Sequence, residues 1–442
     1  MSDTPTSPSL APTLAEATRV WARIAALSFG GPAGQIAVMH RELIDERGWV
    51  SEPRFLHALN YCMLLPGPEA QQLATYLGWM LHGTKGGLIA GALFVLPGMV
   101  CLMALSWIYV LFGQTGVVAG LFAGLQAAVL AVVVQAVLRV AGRALKSRPA
   151  EAIAALAFLA LFLFGAPFPL VIAAAALAGV VAHRLGHPIG QVGHGEAEPV
   201  APLAVDAGLG RALRVAAVWL PVWLGPTVLL MLFAGPASVF TQLAQFFSEV
   251  AVVTFGGAYA VLAYVAQAVV EQRHWLSPAE MLSGLGLAET TPGPLIMVVQ
   301  HVGFLAGYRA PGGLPPLLAG TLAGLLVTWV TFAPCFLWVF LGAPYVEALR
   351  GAKALGAALA AVTAAVVGVI ASLALWFAIH AMFHRTVHLA GIDLPDPASL
   401  DVGAAVIAGA AALALFRYRV GVMKVLAGCA LAGVVLHLAG VM

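Results

Sequence analysis

Long apolar stretches, separated by short polar or glycine-rich breaks, make up most of this chain. The stretch from Gly86 to Leu138 contains no charged residue, and the sequence GQTG at 113–116 divides it into two apolar helices. Similar stretches predict helices at about 313–341 and 354–378, and residues 211–233 predict one more. Each has the ~20 apolar residues that a transmembrane helix requires. The pattern therefore predicts an all-α protein that crosses a membrane several times.

Shorter apolar segments lie between these helices. Segments 14–29, 33–47, 54–65 and 69–82 are all shorter than a full membrane span. Proline removes a helical hydrogen bond, so we also expect helix 313–341 to be interrupted near Pro334. Further short helices are predicted at about 151–164, 169–182, 402–416 and 425–441. The segments around the glycine-rich motifs predict broken or re-entrant helices.

One stretch of the chain occurs twice, and its second copy keeps the spacing of the first without a gap. The residue pairs that share a separation of 226 positions are Phe29 and Phe255, Trp49 and Trp275, Ser51 and Ser277, and Pro66 and Pro292. They carry three recurring motifs, FGG, W-x-S and PGP. A repeat of this length determines the architecture of a protein.

The repeat divides the chain into five parts. We expect a disordered tail at 1–13, a first repeat at 14–182, and a polar linker at 183–210. An extra transmembrane helix at 211–233 and a second repeat at 234–442 follow.

Composition agrees with a membrane protein. The chain is 62% hydrophobic and 9% charged, whereas a soluble domain has about 25% charged residues. A net charge of +2 gives no case for nucleic acid. The four cysteines lie far apart, without the spacing of a metal site or a disulfide framework. We therefore expect a lipid bilayer as the environment, and neither a cofactor nor a metal.

The charges of the connecting loops predict how the two repeats are oriented. In the first repeat the basic loop follows the second long helix and contains Arg139, Arg143, Lys146 and Arg148. In the second repeat, the loop after the second long helix is instead rich in aspartate. The loop before that helix and the loop after the next helix are the basic ones. Positive residues mark the cytoplasmic side. The repeats are therefore predicted to be inverted, with a cytoplasmic N-terminus and a periplasmic C-terminus.

Inverted repeats with interrupted helices are typical of secondary transporters, which bind substrate where the repeats meet. Gly67 and Gly293 allow close approach to the backbone, and Pro68 and Pro294 fit the first position of a helix. Free N–H groups at such a helix start attract anions. Further donors nearby are Gln71, Gln72, Thr290 and Thr291. The alternative is that these glycines serve helix packing and simple kinks.

Charged residues near the motifs are further candidates. Glu69, Glu249 and Glu289 lie in apolar surroundings, where ionisable groups are costly and usually functional. They are candidates for coupling transport to protons, or they reach water at the interface. Arg47 and Arg273 occupy the same position of the two repeats and either bind an anion or face lipid headgroups.

Four blocks of this sequence resemble the long-chain, two-domain chromate transporter family, also abbreviated CHR. They are FGGP at 29–32, LLPGPEAQQLATYLGW at 64–79, TFGGAYAVLAYVAQ at 254–267 and GLAETTPGPLIMVVQHVGFLAGY at 286–308. The resemblance implies export of chromate, with sulfate as an isosteric dianion. The functional residues that it implies are Gly30, Gly31, Pro32, Arg47, Trp49, Pro66, Gly67, Pro68, Gly256, Gly257, Trp275, Pro292, Gly293 and Pro294. Ala258 stands where the first repeat has Pro32, so the two halves are expected to contribute unequally.

The sequence thus predicts a transporter and not an enzyme. We expect an antiporter of the bacterial inner membrane that exports chromate by alternating access, confers chromate resistance and uses protons as the candidate coupling ion. One alternative is a transporter or channel for another oxyanion, such as sulfate or molybdate. The other is a membrane-embedded enzyme, but a reductase would need a redox cofactor or paired thiols, and the scattered cysteines offer neither. A homodimer is left open.

Overall fold

The chain folds as an all-α polytopic membrane protein. The structure, a computed structural model, describes residues 12–186, 189, 208–255, 257–345, 353–389 and 392–440. The helices of the first half are α1 (Leu14–Leu27), α2 (Gly31–His40), α3 (Glu52–Cys62), α4 (Glu69–Phe112), α5 (Gly116–Ala144), α6 (Arg148–Phe164) and α7 (Phe168–Arg184). A π-helical turn at Arg41–Asp45 continues α2.

The second half has the same order of elements, after the extra helix α8 (Leu209–Phe233). Its helices are α9 (Val239–Val253), α10 (Ala258–Gln267), α11 (Pro278–Thr290), α12 (Val298–Arg309), α13 (Pro316–Gly342), α14 (Lys353–Met382), α15 (Val402–Ala412) and α16 (Val422–Leu438). A π turn (Ala268–Gln272) follows α10, a 3-10 turn (Leu295–Met297) precedes α12, and another π turn (Leu413–Arg417) follows α15. The shared order includes the π turns after α2 and α10.

Five described helices are long and apolar enough to cross a membrane, namely α4, α5, α8, α13 and α14. Trp223 is the one buried residue of α8. The exposed apolar surface of α8 is explained by contact with lipid, since a helix in water would bury an apolar face. The predicted long helices are thereby confirmed, including the extra helix at 211–233.

Helix α4 is two helices joined by a tight reversal. His82 and Gly83 leave helical geometry, and Gly83 has φ 59° and ψ −154°. The two arms then fold against each other: a Cβ placed on Gly78 would lie 2.5 Å from the carbonyl oxygen of Gly86. Helices α12 and α13 form the corresponding hairpin, in which a Cβ on Gly307 would lie 2.4 Å from Ala323 Cβ. The short segment predicted at 69–82 corresponds to the first arm of this helical hairpin, and a re-entrant path through the membrane stays a prediction.

The two halves interlock through their longest helices. Helix α5 of the first half packs along α15 and α16 of the second, and α14 of the second half packs along α6 and α7 of the first. Glycines allow the close approach: Cβ atoms on Gly124 and Gly368 would meet the carbonyl oxygens of Cys429 and Ala154 at 2.1 and 2.0 Å. Small residues at helix crossings are how membrane helices pack backbone to backbone. Each half therefore completes its packing with helices of the other.

Two features differ from the expectations. Helix α13 runs from Pro316 to Gly342 through Pro334 without interruption, so the interruption predicted near Pro334 is wrong. Neighbouring helices compensate for an intrahelical proline in a membrane protein. A short antiparallel hairpin, which the sequence pattern did not predict, lies between α14 and α15 and pairs β1 (Thr386–Leu389) with β2 (Ile392–Pro395).

Candidate functional site

The two Pro-Gly-Pro loops make the same hydrogen bond to the opposite half of the chain. The N–H of Gly67 donates to the carbonyl oxygen of Thr254 at 2.9 Å, and the N–H of Gly293 donates to the carbonyl oxygen of Ser28 at 2.8 Å. Thr254 and Ser28 each lie directly before an FGG motif. Each PGP loop is therefore fastened to the FGG segment of the other repeat, which brings the two recurring motifs together at the boundary between the halves.

Both central glycines have backbone conformations that favour glycine. The φ angle is 124° at Gly67 and 98° at Gly293, and residues with a Cβ rarely adopt these values. A Cβ on Gly67 would also lie 2.7 Å from Gln72 Nε2 and 3.0 Å from Cys335 Sγ. The glycine of each loop is thus required by backbone geometry, and at Gly67 also by close packing.

Long helices of the two hairpins also cross between the halves. Cys335 of α13 lies against Gly67, and Gly98 of α4 lies against the second loop, where its Cβ would be 2.5 Å from the carbonyl oxygen of Pro292. Sequence reasoning did not single out Gly98 or Cys335, because neither belongs to a repeated motif. Each loop is therefore enclosed by groups from both halves.

Glutamine side chains donate hydrogen bonds to carbonyl oxygens of both PGP loops. Gln35 Nε2 donates to the carbonyl oxygen of Gly293 at 2.5 Å, and Gln72 Nε2 donates to that of Pro66 at 2.7 Å. Gln71 Nε2 donates to Thr75 Oγ1 at 3.2 Å. These three glutamines are buried, and each of their Oε1 atoms is buried without a hydrogen-bond partner. Unpaired buried polar atoms are costly, so this cluster beside the two loops is the candidate ligand site.

The prolines of the two motifs lie one residue earlier than predicted. Pro68 and Pro294 are N-cap residues with extended backbones, and not the first helical residues. The first backbone donor within α4 is Gln72, whose N–H bonds to the carbonyl oxygen of Pro68 at 3.1 Å. The N–H groups of residues 69–71 come before this first bond and have no carbonyl acceptor within the helix. The start of α4 therefore has backbone N–H groups without intrahelical partners, and their role in binding an anion remains a prediction. The start after Pro294 is a three-residue 3-10 turn, Leu295–Met297.

The FGG motifs lie at the same boundary. Gly30 and Gly31 have φ angles of 80° and 76°, and Pro32 is the second residue of α2. Gly256 lies outside the described residues. Gly257 has a φ of 99°, and its Cβ would lie 3.7 Å from Glu69 Oε1. The carboxylate that follows the first PGP motif therefore lies beside the second FGG motif.

The three candidate coupling acids have different surroundings. Glu289 is buried and accepts a hydrogen bond from the Tyr259 hydroxyl. Glu69 is partly buried, and Glu249 is exposed. Arg143 of α5 interacts electrostatically with Glu69. Tyr259 was missed by sequence reasoning, although it follows the second FGG motif closely.

The two arginines predicted to bind substrate make contacts with other side chains of the protein. Arg47 Nη1 contacts Glu42 Oε2 at 2.6 Å, and Glu42 is fully buried. Arg273 lies over the rings of Phe246 and Trp275, with centroid distances of 4.7 and 5.0 Å. Roles for Arg47 and Arg273 in substrate binding remain predictions.

The two threonines before the second motif bond to their own helix. Thr290 Oγ1 donates to the carbonyl oxygen of Leu287 at 2.8 Å, and Thr291 Oγ1 donates to that of Ala288 at 3.1 Å. Their hydroxyls thus cap the end of α11, and a role in binding substrate remains a prediction.

A polytopic helical protein whose halves meet at two facing loop motifs has the architecture of a membrane transporter. The chain matches the chromate transporter family over residues 15–180 and 241–434 and belongs to that family. A chromate transport protein of Pseudomonas aeruginosa is 31% identical over 415 residues, which is 92% of this chain and 88% of that protein. One of Cupriavidus metallidurans is 27% identical and covers 81% of each chain. A probable chromate transport protein of Synechococcus elongatus is 27% identical, covering 75% of this chain and 76% of its own length. No solved structure matches the chain.

Proposed function

We propose that this protein is a secondary active transporter that exports chromate, a sulfate-like dianion, across the bacterial inner membrane and thereby confers chromate resistance. The family match and the names of the similar proteins support chromate as the substrate. The reciprocal hydrogen bonds from Gly67 to Thr254 and from Gly293 to Ser28 are the observation that carries the mechanism. Two equivalent junctions between the halves support alternating access, in which one half rocks against the other around a fixed site.

The dianion would bind at the start of α4, between the two PGP loops. The N–H groups of residues 69–71 and the dipole of the helix favour an anion there. Gln71 and Gln72 are buried at this helix start. Rotation of the Gln71 amide by about 180° exchanges its free oxygen for an NH₂ group, and the Thr75 hydroxyl can then donate to that oxygen. Gln71 can therefore supply a donor to an oxyanion, whereas Gln72 stays bonded to the carbonyl oxygen of Pro66.

Protons are the proposed coupling ion, and Glu69 and Glu289 are the better placed carriers. Both lie inside the protein near the loop junction, whereas Glu249 is exposed. An inside-negative potential already favours expulsion of a dianion, by about 2.3 kcal/mol per charge per 100 mV. Proton exchange would therefore supply only part of the driving force. Flux measured with and without a pH gradient at clamped voltage separates the two contributions.

Chromate uptake into inside-out membrane vesicles tests the proposal. Gly67→Ala and Gly293→Ala should each reduce uptake strongly, because both glycines have φ values that alanine rarely adopts. Gly142→Ala is the matched control, since its Cβ would meet nothing within 4 Å. If both loop variants fold properly and retain wild-type uptake, the proposed site is wrong. Competition by sulfate and molybdate in the same assay distinguishes chromate export from transport of another oxyanion.

A further inference from the structure

A polar cavity lies away from the loop junction, where the turn between α4 and α5 meets α11 and α12. It has a volume of about 370 Å³, and its polar lining includes Tyr109, Gln114, Gln126, Glu280, Ser283 and Arg309. The basic residues Arg139 and Arg143 lie near the other end of α5, whose 29 residues extend about 43 Å. Since basic loops mark the cytoplasmic face, the cavity belongs to the outer end of the molecule.

The cavity contains an arginine whose partner is a replaceable carboxylate. Arg309 Nη2 pairs with Glu280 Oε1, and Arg309 Nη1 donates to the carbonyl oxygen of Trp275 at 2.6 Å. Glu280 Oε2 accepts the N–H of Ser277 at 2.8 Å as part of the capping box of α11. If an anion took the place of Oε1, Arg309 would stay anchored on Trp275, and Glu280 would stay anchored on Ser277. The exchange therefore breaks one ion pair without unfolding the helix start.

Two buried polar side chains of α12, His301 and Gln300, lie between this cavity and the second PGP loop. The ring of Tyr109 packs edge-on against the ring of His301, with 5.3 Å between the ring centroids. His301 is fully buried, and its Nδ1 is 2.8 Å from Ser106 Oγ, while its Nε2 is buried without a hydrogen-bond partner.

Gln300, the residue before His301 in α12, contacts the other side of this region. Gln300 Nε2 donates to the carbonyl oxygen of Met99 at 2.9 Å. Met99 adjoins Gly98, which packs against Pro292. Polar groups in an apolar interior usually mark a path for substrate or ions.

We propose that this cavity is an outer oxyanion subsite, in which the departing dianion displaces Glu280 from Arg309. This subsite rests on the proposed function, since it is a second binding site for the same substrate. Arginine is suited to oxyanions because its planar donors pair with two oxygens at once. The first repeat has Arg54 and Gly83 at the positions of Glu280 and Arg309, so the ion pair is not repeated there. The subsite therefore belongs to one face of the transporter.

Protection of an introduced cysteine by sulfate tests the subsite. Gln126→Cys places a thiol in the cavity, and a membrane-impermeant thiol reagent is applied to right-side-out vesicles of the full-length protein. We expect the reagent to label this thiol and sulfate to slow the labelling. Adding Arg309→Gln should abolish the protection. Adding Glu280→Gln, which retains a capping side chain, should lower the half-protecting sulfate concentration about twofold to fivefold, as expected for release of an ion pair near the protein surface.

Gly142→Cys, near the cytoplasmic end of the same helix, is the matched control and should not be labelled in these vesicles. The wild-type protein measures the background labelling of the four native cysteines. Labelling of Gly142→Cys by the external reagent, or protection that survives Arg309→Gln, would overturn the proposal. So would labelling of Gln126→Cys from the inner side alone. If Gln126→Cys fails to fold, Gln114→Cys at the exposed mouth of the cavity gives the same readouts. The two proposals can fail separately. Arg309-dependent protection together with normal chromate uptake by Gly67→Ala and Gly293→Ala would contradict the loop site and support this subsite.

Discussion

The hydroxyl of Tyr259 donates a hydrogen bond to the buried carboxylate of Glu289, thirty positions further along the chain. Tyr259 is near the start of α10, just after the second FGG motif, and Glu289 is near the end of α11, just before the second PGP motif. The bond therefore joins the two motifs within one half, whereas the bonds from Gly67 and Gly293 join them between halves. A movement of either loop changes the surroundings of Glu289.

Removing this hydroxyl should destabilise the protein measurably. Tyr259→Phe leaves Glu289 buried without its donor, at a cost of about 1–3 kcal/mol in the free energy of unfolding. The combination with Glu289→Gln should cost less than the sum of the two single changes, because both remove the same interaction. Thermal unfolding of the purified protein in detergent measures all three variants, with Tyr264→Phe as the control. Strict additivity would show that the two side chains do not interact in solution.

Gly98 should tolerate no larger residue. A Cβ there would lie 2.5 Å from the carbonyl oxygen of Pro292, so α4 and the second PGP loop would have to separate. Gly98→Ala should reduce chromate uptake about tenfold or more, since interiors resist added volume at a cost of about 1–3 kcal/mol. Gly142→Ala, also within a long helix, should leave uptake unchanged and slightly stabilise α5. Equal uptake by the two variants would contradict the close contact between Gly98 and the loop.

The main role expected for Arg47 is to stabilise the fold. Its Nη1 pairs with the fully buried Glu42, which Arg23 also contacts at 3.1 Å. Arg47→Ala should lower the free energy of unfolding by about 1–3 kcal/mol, because a buried carboxylate loses a partner. Adding Glu42→Gln should recover much of that loss. Chromate uptake by this double variant then tests substrate binding directly: normal uptake would exclude Arg47 from the binding site, and lost uptake in a stable protein would support it.

The two halves should assemble from separate chains. A break within the linker 183–210 leaves α5 to pack along α15 and α16, and α14 to pack along α6 and α7. An untagged second half should therefore co-purify with a tagged first half when both are expressed together. Gly124→Leu and Gly368→Leu should each weaken the recovery, because their Cβ positions already touch backbone of the other half. Gly409→Leu, whose Cβ would meet nothing within 4 Å, is the control.

Much of the architecture was available from the sequence because lipid imposes strict rules on a chain. Apolar runs of sufficient length had to become helices, since backbone groups in lipid must bond internally. The repeat register identified the FGG and PGP segments, and Gly67 and Gly293 have the special backbone angles that their residue type indicates. Inversion of the two halves stays a prediction that rests on loop charges.

Contacts between distant parts of the chain were decided only by the tertiary structure. The register matched Gly67 with Gly293, but it gave no sign that each bonds to the segment before the other repeat's FGG motif. Nor did it indicate that Cys335 lies against Gly67 or that Glu42 pairs with Arg47. Periodicity reports which face of a helix is apolar. Which partner that face meets depends on packing among all helices at once, and that packing determines the neighbours of each buried polar group.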